Sequence, residues 1–218
     1  LAGEGEVSAP RLVKDVLLGG NSPESIPGAV WRAPGGSVTR VPPEIVAGLP
    51  GRVSPEARGL LDIEAYLEAG ASFNIQTKRG CPLHCTYCVY PLLEGRRFRL
   101  RRPVSVVDEM EEAHHTWGAD RFTFVDNIFN LPLDHAKEIC RGMVRRKLDI
   151  RWETYLHPIA VDEELLGLML DTGVLGLEFT PDSGSAAILE SYGKDIEVRH
   201  LEQAAQLCNR MDLPFCFN

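Results

Sequence analysis

Residues 71–88 read ASFNIQTKRGCPLHCTYC. Phe73, Ile75 and Thr77 alternate with polar neighbours, the period-two pattern of a strand. Directly behind that strand stand Cys81, Cys85 and Cys88, three thiols within eight residues. The sequence downstream decides the fold. SVVDEMEEAHHTWG (105–118) reads as a helix, with Ser105 and Asp108 as a capping pair and Gly118 as its stop. A strand, RFTFVD (121–126), a helix, LDHAKEICRGMVRRKL (133–148), and a strand, DIRWETYL (149–156), follow. Asp162 caps a helix over EELLGLML that Gly173 closes. VLGLEF (174–179) is a further strand, 184–192 and 196–210 are helical, and LPFCFN is the last strand. One more helix, 55–69, precedes the first strand. Strand–helix alternation repeated in this way requires parallel strands joined by right-handed crossovers, in a barrel or an open sheet.

Residues 1–54 are different. Pro and Gly are dense, as in VLLGGNSPESIPGAVWRAPGG, and the segment reads as short strands and loops. It is expected to be a linker or the tail of a preceding domain, with residues 55–218 as the α/β core. The chain lacks an initiator Met, which suggests a piece of something longer.

Composition narrows the function classes. The 218 residues carry a net charge of −8, against the basic surplus of a general nucleic-acid binder. No apolar run approaches the roughly 18–20 residues of a membrane span, and no secretory signal opens the sequence. Of the six cysteines, Cys140, Cys208 and Cys216 stand alone in apolar contexts while the other three cluster. That distribution suits a reducing cytoplasm and a metal site rather than a disulfide scaffold.

In parallel α/β folds the active site lies at the carboxyl ends of the strands. Lys78, Arg79, Gly80 and the cysteines follow the first strand, and Asp126 and Asn127 the second. Tyr155 and His157 end the third, with Glu153 inside it; Thr180, Asp182 and Ser183 follow the fourth; Asn218 follows the fifth. Polar groups therefore recur along one rim. A structural zinc site wants four ligands, commonly as two distant pairs, and no second pair exists here. His84 lies between the first two cysteines and is a candidate fourth ligand. Three thiolates on a cubane iron–sulfur cluster would instead leave one iron open to a small molecule.

CxxxCxxC with an aromatic residue before the last cysteine, directly after the first strand of a βα repeat, resembles the radical S-adenosylmethionine (SAM) superfamily. The resemblance implies a partial TIM-like (βα) barrel, truncated here at about the fifth strand. It implies Cys81, Cys85 and Cys88 as ligands of a 4Fe-4S cluster whose open iron chelates the amino and carboxylate groups of SAM. It also places Tyr87 near the adenine. Asp126 and Asn127 would stand where the family has its Gly-Gly-Glu segment around the SAM amino group, from which VDN departs. Glu178, Asp182 and Ser183 match an element near the SAM ribose and carboxylate. GEGE at 3–6, IPGAVWR and TKRGCPLHCTYC together resemble the cobalamin-binding subgroup, and Lys194 fits a lysine found there after the fourth strand. Methyl transfer to an unactivated carbon is the commonest outcome in that subgroup, on a small-molecule or peptide substrate. An electron donor such as flavodoxin or ferredoxin is implied as partner. A radical SAM enzyme without cobalamin, and a non-catalytic iron–sulfur or zinc module, stay open. The run RRFRLRR (96–102) reads as a solvated or phosphate-seeking patch, and His114 and His115 as solvated.

Overall fold

The computed structural model describes residues 1–49, 51 and 55–218. The N-terminal segment is more ordered than its composition suggests. Gly5–Arg11 is a helix (α1) that continues as a wide-turned helix over Leu12–Leu18, and Val30–Arg32 (β1) pairs antiparallel with Val38–Arg40 (β2). The Pro and Gly content masked the helix, because Pro10 lies inside it. The helix expected over 55–69 is two pieces, Pro55–Arg58 (α2) and Ile63–Glu68 (α3). Gly59 separates them, and Asp62 restarts the helix by accepting from the Ala65 N–H at 3.1 Å.

Phe73–Ile75 (β3) opens the core. Lys78–Arg79 (β4) follows, then Tyr90–Glu94 (α4), Arg99–Leu100 (β5), Pro103–Trp117 (α5), Arg121–Phe124 (β6) and Leu133–Arg146 (α6). Arg151–Leu156 (β7), Glu163–Asp171 (α7), Val174–Phe179 (β8), Ala186–Ser191 (α8), Val198–Arg210 (α9) and Phe215–Phe217 (β9) complete the chain. Five strands form one sheet in the order β3-β6-β7-β8-β9, every neighbouring pair parallel. Sequential order with helical crossovers is the arc of a (βα) barrel, as the alternation predicts.

The expected capping pair at Ser105 and Asp108 does not form. Pro103, whose fixed φ suits the first helical position, starts α5 two residues earlier with Arg102 as N-cap, and Asp108 ion-pairs with Arg146. Gly118 does end α5, in the left-handed conformation at φ 67°. Asp162 does cap α7, accepting from the Leu165 N–H at 2.8 Å.

Alternation along each strand separates two faces. Phe73, Ile75, Phe122, Phe124, Trp152, Leu156, Leu177 and Phe179 are buried against α5, α6, α7 and α9. Trp152 anchors that core, edge-on to Phe124 at 5.0 Å, with its indole N–H donating to the Thr172 carbonyl at 3.1 Å. The opposite face is polar and open. Asn74, Thr123 and Glu153 stand in one row across it, and Tyr155, Glu178 and Cys216 in the next. A shift in register between β7 and β8 keeps Leu177 and Phe179 on the buried side and Glu178 on the open one.

Candidate cluster and cofactor site

The strand read over the start of the cysteine stretch breaks after Ile75. β4 leaves the sheet and pairs antiparallel with β5, Lys78 opposite Leu100 and Arg79 opposite Arg99. The Arg101 N–H adds a bond to the Thr77 carbonyl at 2.9 Å. This clip closes the base of the loop that carries the three cysteines. Gly80 is required there, because at φ 85° a Cβ would lie 2.1 Å from the Arg97 carbonyl oxygen. Beyond it the Cys81 N–H donates to the Gly95 carbonyl at 3.1 Å, and the Cys88 N–H to that of Cys85 at 3.2 Å.

Cys81 is buried, and Cys85 and Cys88 are half-buried. Burial pushes the Cys81 and Cys85 thiols up, and the nearby thiols push each of them further. Among the described residues no three His, Cys, Asp or Glu converge on a point as ligands of a single ion would. A cubane makes no such demand, since each thiolate binds a different iron at a corner. His84, the candidate fourth ligand, is exposed. Three thiols close together in sequence, one buried and two half-buried, are a donor set that suits an iron–sulfur cluster.

Asp126 is buried below the loop with both oxygens occupied. One accepts the backbone N–H groups of Thr77 at 2.7 Å and Lys78 at 3.2 Å. The other accepts the Thr77 hydroxyl and the Lys78 ammonium, the latter at 3.0 Å. Lys78 is itself 2% exposed, and burial lowers its pKa against the opposing pull of Asp126. These donors fill the four lone-pair sites of the carboxylate, which ties β6 to the root of the cysteine loop. Asn127 donates to Glu94 at 3.0 Å, and the same Glu94 oxygen accepts the Gly80 N–H at 3.0 Å.

The segment after β8 meets the loop from the other side. The Tyr87 hydroxyl donates to Asp182, which also ion-pairs with Lys194. Lys194 donates to the Thr180 carbonyl at 2.9 Å, lies over the Tyr87 ring at 5.5 Å and pulls the Cys85 thiol down. The Thr86 N–H donates to the Tyr192 carbonyl at 2.9 Å, and the Tyr192 ring meets Tyr87 edge-on at 5.5 Å. Asp182 adopts a positive φ of 67° and donates its N–H to the Asn218 carbonyl at 2.8 Å. Ser183 accepts from the Ser185 N–H at 3.0 Å, and Glu178 accepts from the Asn218 amide. Tyr87, Asp182 and Lys194 are thus brought together, while Glu178 faces a cavity of about 400 Å³ on the open side of the sheet. Thr123, Glu153 and Tyr155 line the same cavity. His157 is buried at the end of β7 with neither ring nitrogen hydrogen-bonded, and burial pushes its pKa down to about 4.

Sequence reasoning missed the back of the loop. Glu4, within GEGE, accepts from Arg99 through its two terminal guanidinium nitrogens at 2.8 and 2.6 Å, from Arg79 at 3.3 Å and from the Val46 N–H at 2.7 Å. Arg99 also donates to the carbonyls of Val46 and Glu94. Arg101 is paired with Glu109 and donates to the Gln76 carbonyl at 2.7 Å. The signal was present: Arg99 and Arg101 alternate with Leu100, and a period of two marks one face of an extended segment. His114 is likewise engaged, its Nδ1 2.8 Å from the Ala119 carbonyl, while His115 is exposed.

A family model described as the radical SAM superfamily matches residues 75–218. An uncharacterised methyltransferase of Pyrococcus horikoshii is 28% identical over 97% of this chain and 46% of its own length. The cytidylyl-2-hydroxyethylphosphonate methyltransferase of Streptomyces wedmorensis is 30% identical over 86% of this chain and 41% of its own length. The solved structure of the radical SAM methyltransferase TsrM from Kitasatospora setae, with cobalamin and a [4Fe-4S] cluster bound, superposes with a TM-score of 0.78 at 25% identity. It covers 100% of this chain and 44% of that one. The chain thus spans less than half the length of each of these proteins.

Proposed function

Because the chain belongs to the radical SAM superfamily, we propose that Cys81, Cys85 and Cys88 hold a 4Fe-4S cluster and that the protein transfers methyl groups from SAM with the help of cobalamin. Three cysteine ligands leave one iron for SAM, where the cluster would supply the electron that cleaves the sulfonium. The observation that carries the reading is the cysteine loop itself. It is pinned at the carboxyl end of β3 by Asp126 and the β4–β5 clip, beside the open face of the sheet and against Tyr87, Asp182 and Lys194.

The chain's own residues have distinct parts in this proposal. Lys194 holds positive charge beside Cys85 and favours its thiolate, the form that ligates iron. Tyr87, standing 55% exposed on the loop, offers a ring face to the adenine. Asp182 and Ser183 line the rim near the SAM ribose and carboxylate, and Glu178 faces the cavity on the open side. Asn127 steadies the loop through Glu94. Asp126 acts as the pin of the loop root, since its oxygens are taken by Thr77 and Lys78. Residues 1–54 are the tail of a cobalamin-binding domain and 55–218 the radical SAM core. Six free cysteines suit a reducing, cytoplasmic setting. Among the described residues no helix is long and apolar enough to cross a membrane.

The test is the fate of SAM on the anaerobically reconstituted, reduced protein, with and without added cobalamin. Cobalamin-dependent release of S-adenosylhomocysteine supports methyl transfer. Deoxyadenosine released whether or not cobalamin is present favours radical chemistry without it, and intact SAM in both arms defeats the proposal.

A further inference from the structure

We propose that the surface over residues 89–102 beside the cysteine loop docks a small acidic one-electron carrier protein. The inference rests on the cluster reading above. It starts from charge: residues 79–102 hold six arginines against one glutamate, in a chain of net charge −8. Three of those arginines are neutralised internally, Arg79 and Arg99 by Glu4 and Arg101 by Glu109. Arg96, Arg97 and Arg102 are exposed, and among the described residues none of the three forms an ion pair. The structure buries the acidic partners of one half of the run and leaves the other half facing solvent.

Two of these free charges, Arg96 and Arg97, belong to residues that touch the cysteine loop. Arg96 reaches the Leu83 carbonyl at 3.4 Å, between Cys81 and Cys85, and the Arg97 backbone abuts Gly80. Between them and Cys88 lies α4 with its lead-in residue, where Val89 is 57%, Tyr90 47% and Leu92 69% exposed. Apolar residues beside unpaired arginines, on an otherwise acidic molecule, match the small, electrostatically steered contacts of redox carriers. The carrier would give up one electron and the cluster site would take it up, with no bond made or broken. An acidic carrier would be drawn to this face and repelled elsewhere, which orients it with its redox centre toward the cysteines.

The experiment compares wild type with the Arg96→Glu/Arg97→Glu variant, both carrying a reconstituted cluster. Stopped-flow absorbance follows cluster reduction by flavodoxin hydroquinone across a range of ionic strength. Reduced methyl viologen, small and cationic, serves as the second donor. The expected result is reduction by flavodoxin slowed about tenfold or more at low salt in the variant, with the difference closing as salt rises. Reduction by viologen should not slow. Equal flavodoxin rates in the two proteins would overturn the proposal, and so would equal slowing with both donors, which would place the arginines' effect on the cluster itself. A cluster that forms and responds to SAM while either of those results holds would leave the functional reading standing. Failure to form any cluster would end both.

Discussion

Replacing Asp126 by Asn tests the assignment of that residue as the pin of the cysteine loop. The change keeps shape and volume but removes the negative charge. Lys78, 2% exposed, would lose its counter-charge, leaving its ammonium with neutral acceptors alone, among them the Thr77 hydroxyl at 3.2 Å and the Phe129 carbonyl at 2.8 Å. Whichever way the new amide is turned, its N–H groups would face donors, the backbone N–H groups of Thr77 and Lys78 on one side or the Thr77 hydroxyl and Lys78 ammonium on the other. Removing one partner of a buried ion pair costs about 3–5 kcal/mol. Domains have a total stability of about 5–15 kcal/mol, so the loss should be a large part of the whole. Urea denaturation of the cluster-free chain should show a midpoint lowered by that loss divided by the slope, with little change in the slope itself. Adding Lys78→Met removes the stranded charge, so the double variant should recover most of the loss. A loss under about 1 kcal/mol, or a double variant no better than the single one, would refute the reasoning. A stable Asp126→Asn protein that had lost only its response to SAM would return Asp126 to the cofactor.

Two further outcomes follow from buried groups. Gly80→Ala should prevent cluster assembly, because its Cβ would meet a backbone carbonyl at 2.1 Å that no side-chain rotation can relieve; iron content after reconstitution reads this directly, and full occupancy would contradict it. His157 is held neutral with a pKa of about 4, against 6.5 for the free side chain. Between those values the unfolded chain binds a proton that the native state refuses, so stability falls as pH drops from 6.5 to 4 and this contribution levels off below. The full effect is about 3 kcal/mol at roughly 1.4 kcal/mol per unit. His157→Leu should flatten that part of the stability–pH curve of the cluster-free chain, and an unchanged slope would mean that the imidazole finds partners or charge in the fold.

The elements of the core were legible because each obeys a local rule. β8 falls where VLGLEF places it, and Gly118 and Asp162 end and begin helices as their chemistry dictates. The three cysteines were legible because their spacing is itself the signal. The partners of the loop were harder to see. Asp126 lies some 48 residues from Lys78, and no period links them; only the parallel pairing of β3 with β6 brings them together. Glu4 meets Arg99 across 95 residues for a similar reason. The arginine run was read as one patch because composition does not show which of its members turn inward. Tyr87, Asp182 and Lys194 were each singled out separately, but their convergence required the crossing of two loops.

The central claim is an open iron held by three cysteines. Low-temperature EPR of the anaerobically reconstituted, reduced chain, recorded with and without SAM, tests it most directly. A reduced-cluster signal that shifts when SAM is added, and that is lost in Cys85→Ala, is the predicted result. Absence of any cluster signal, tight zinc binding in its place, or a signal indifferent to SAM would contradict the account.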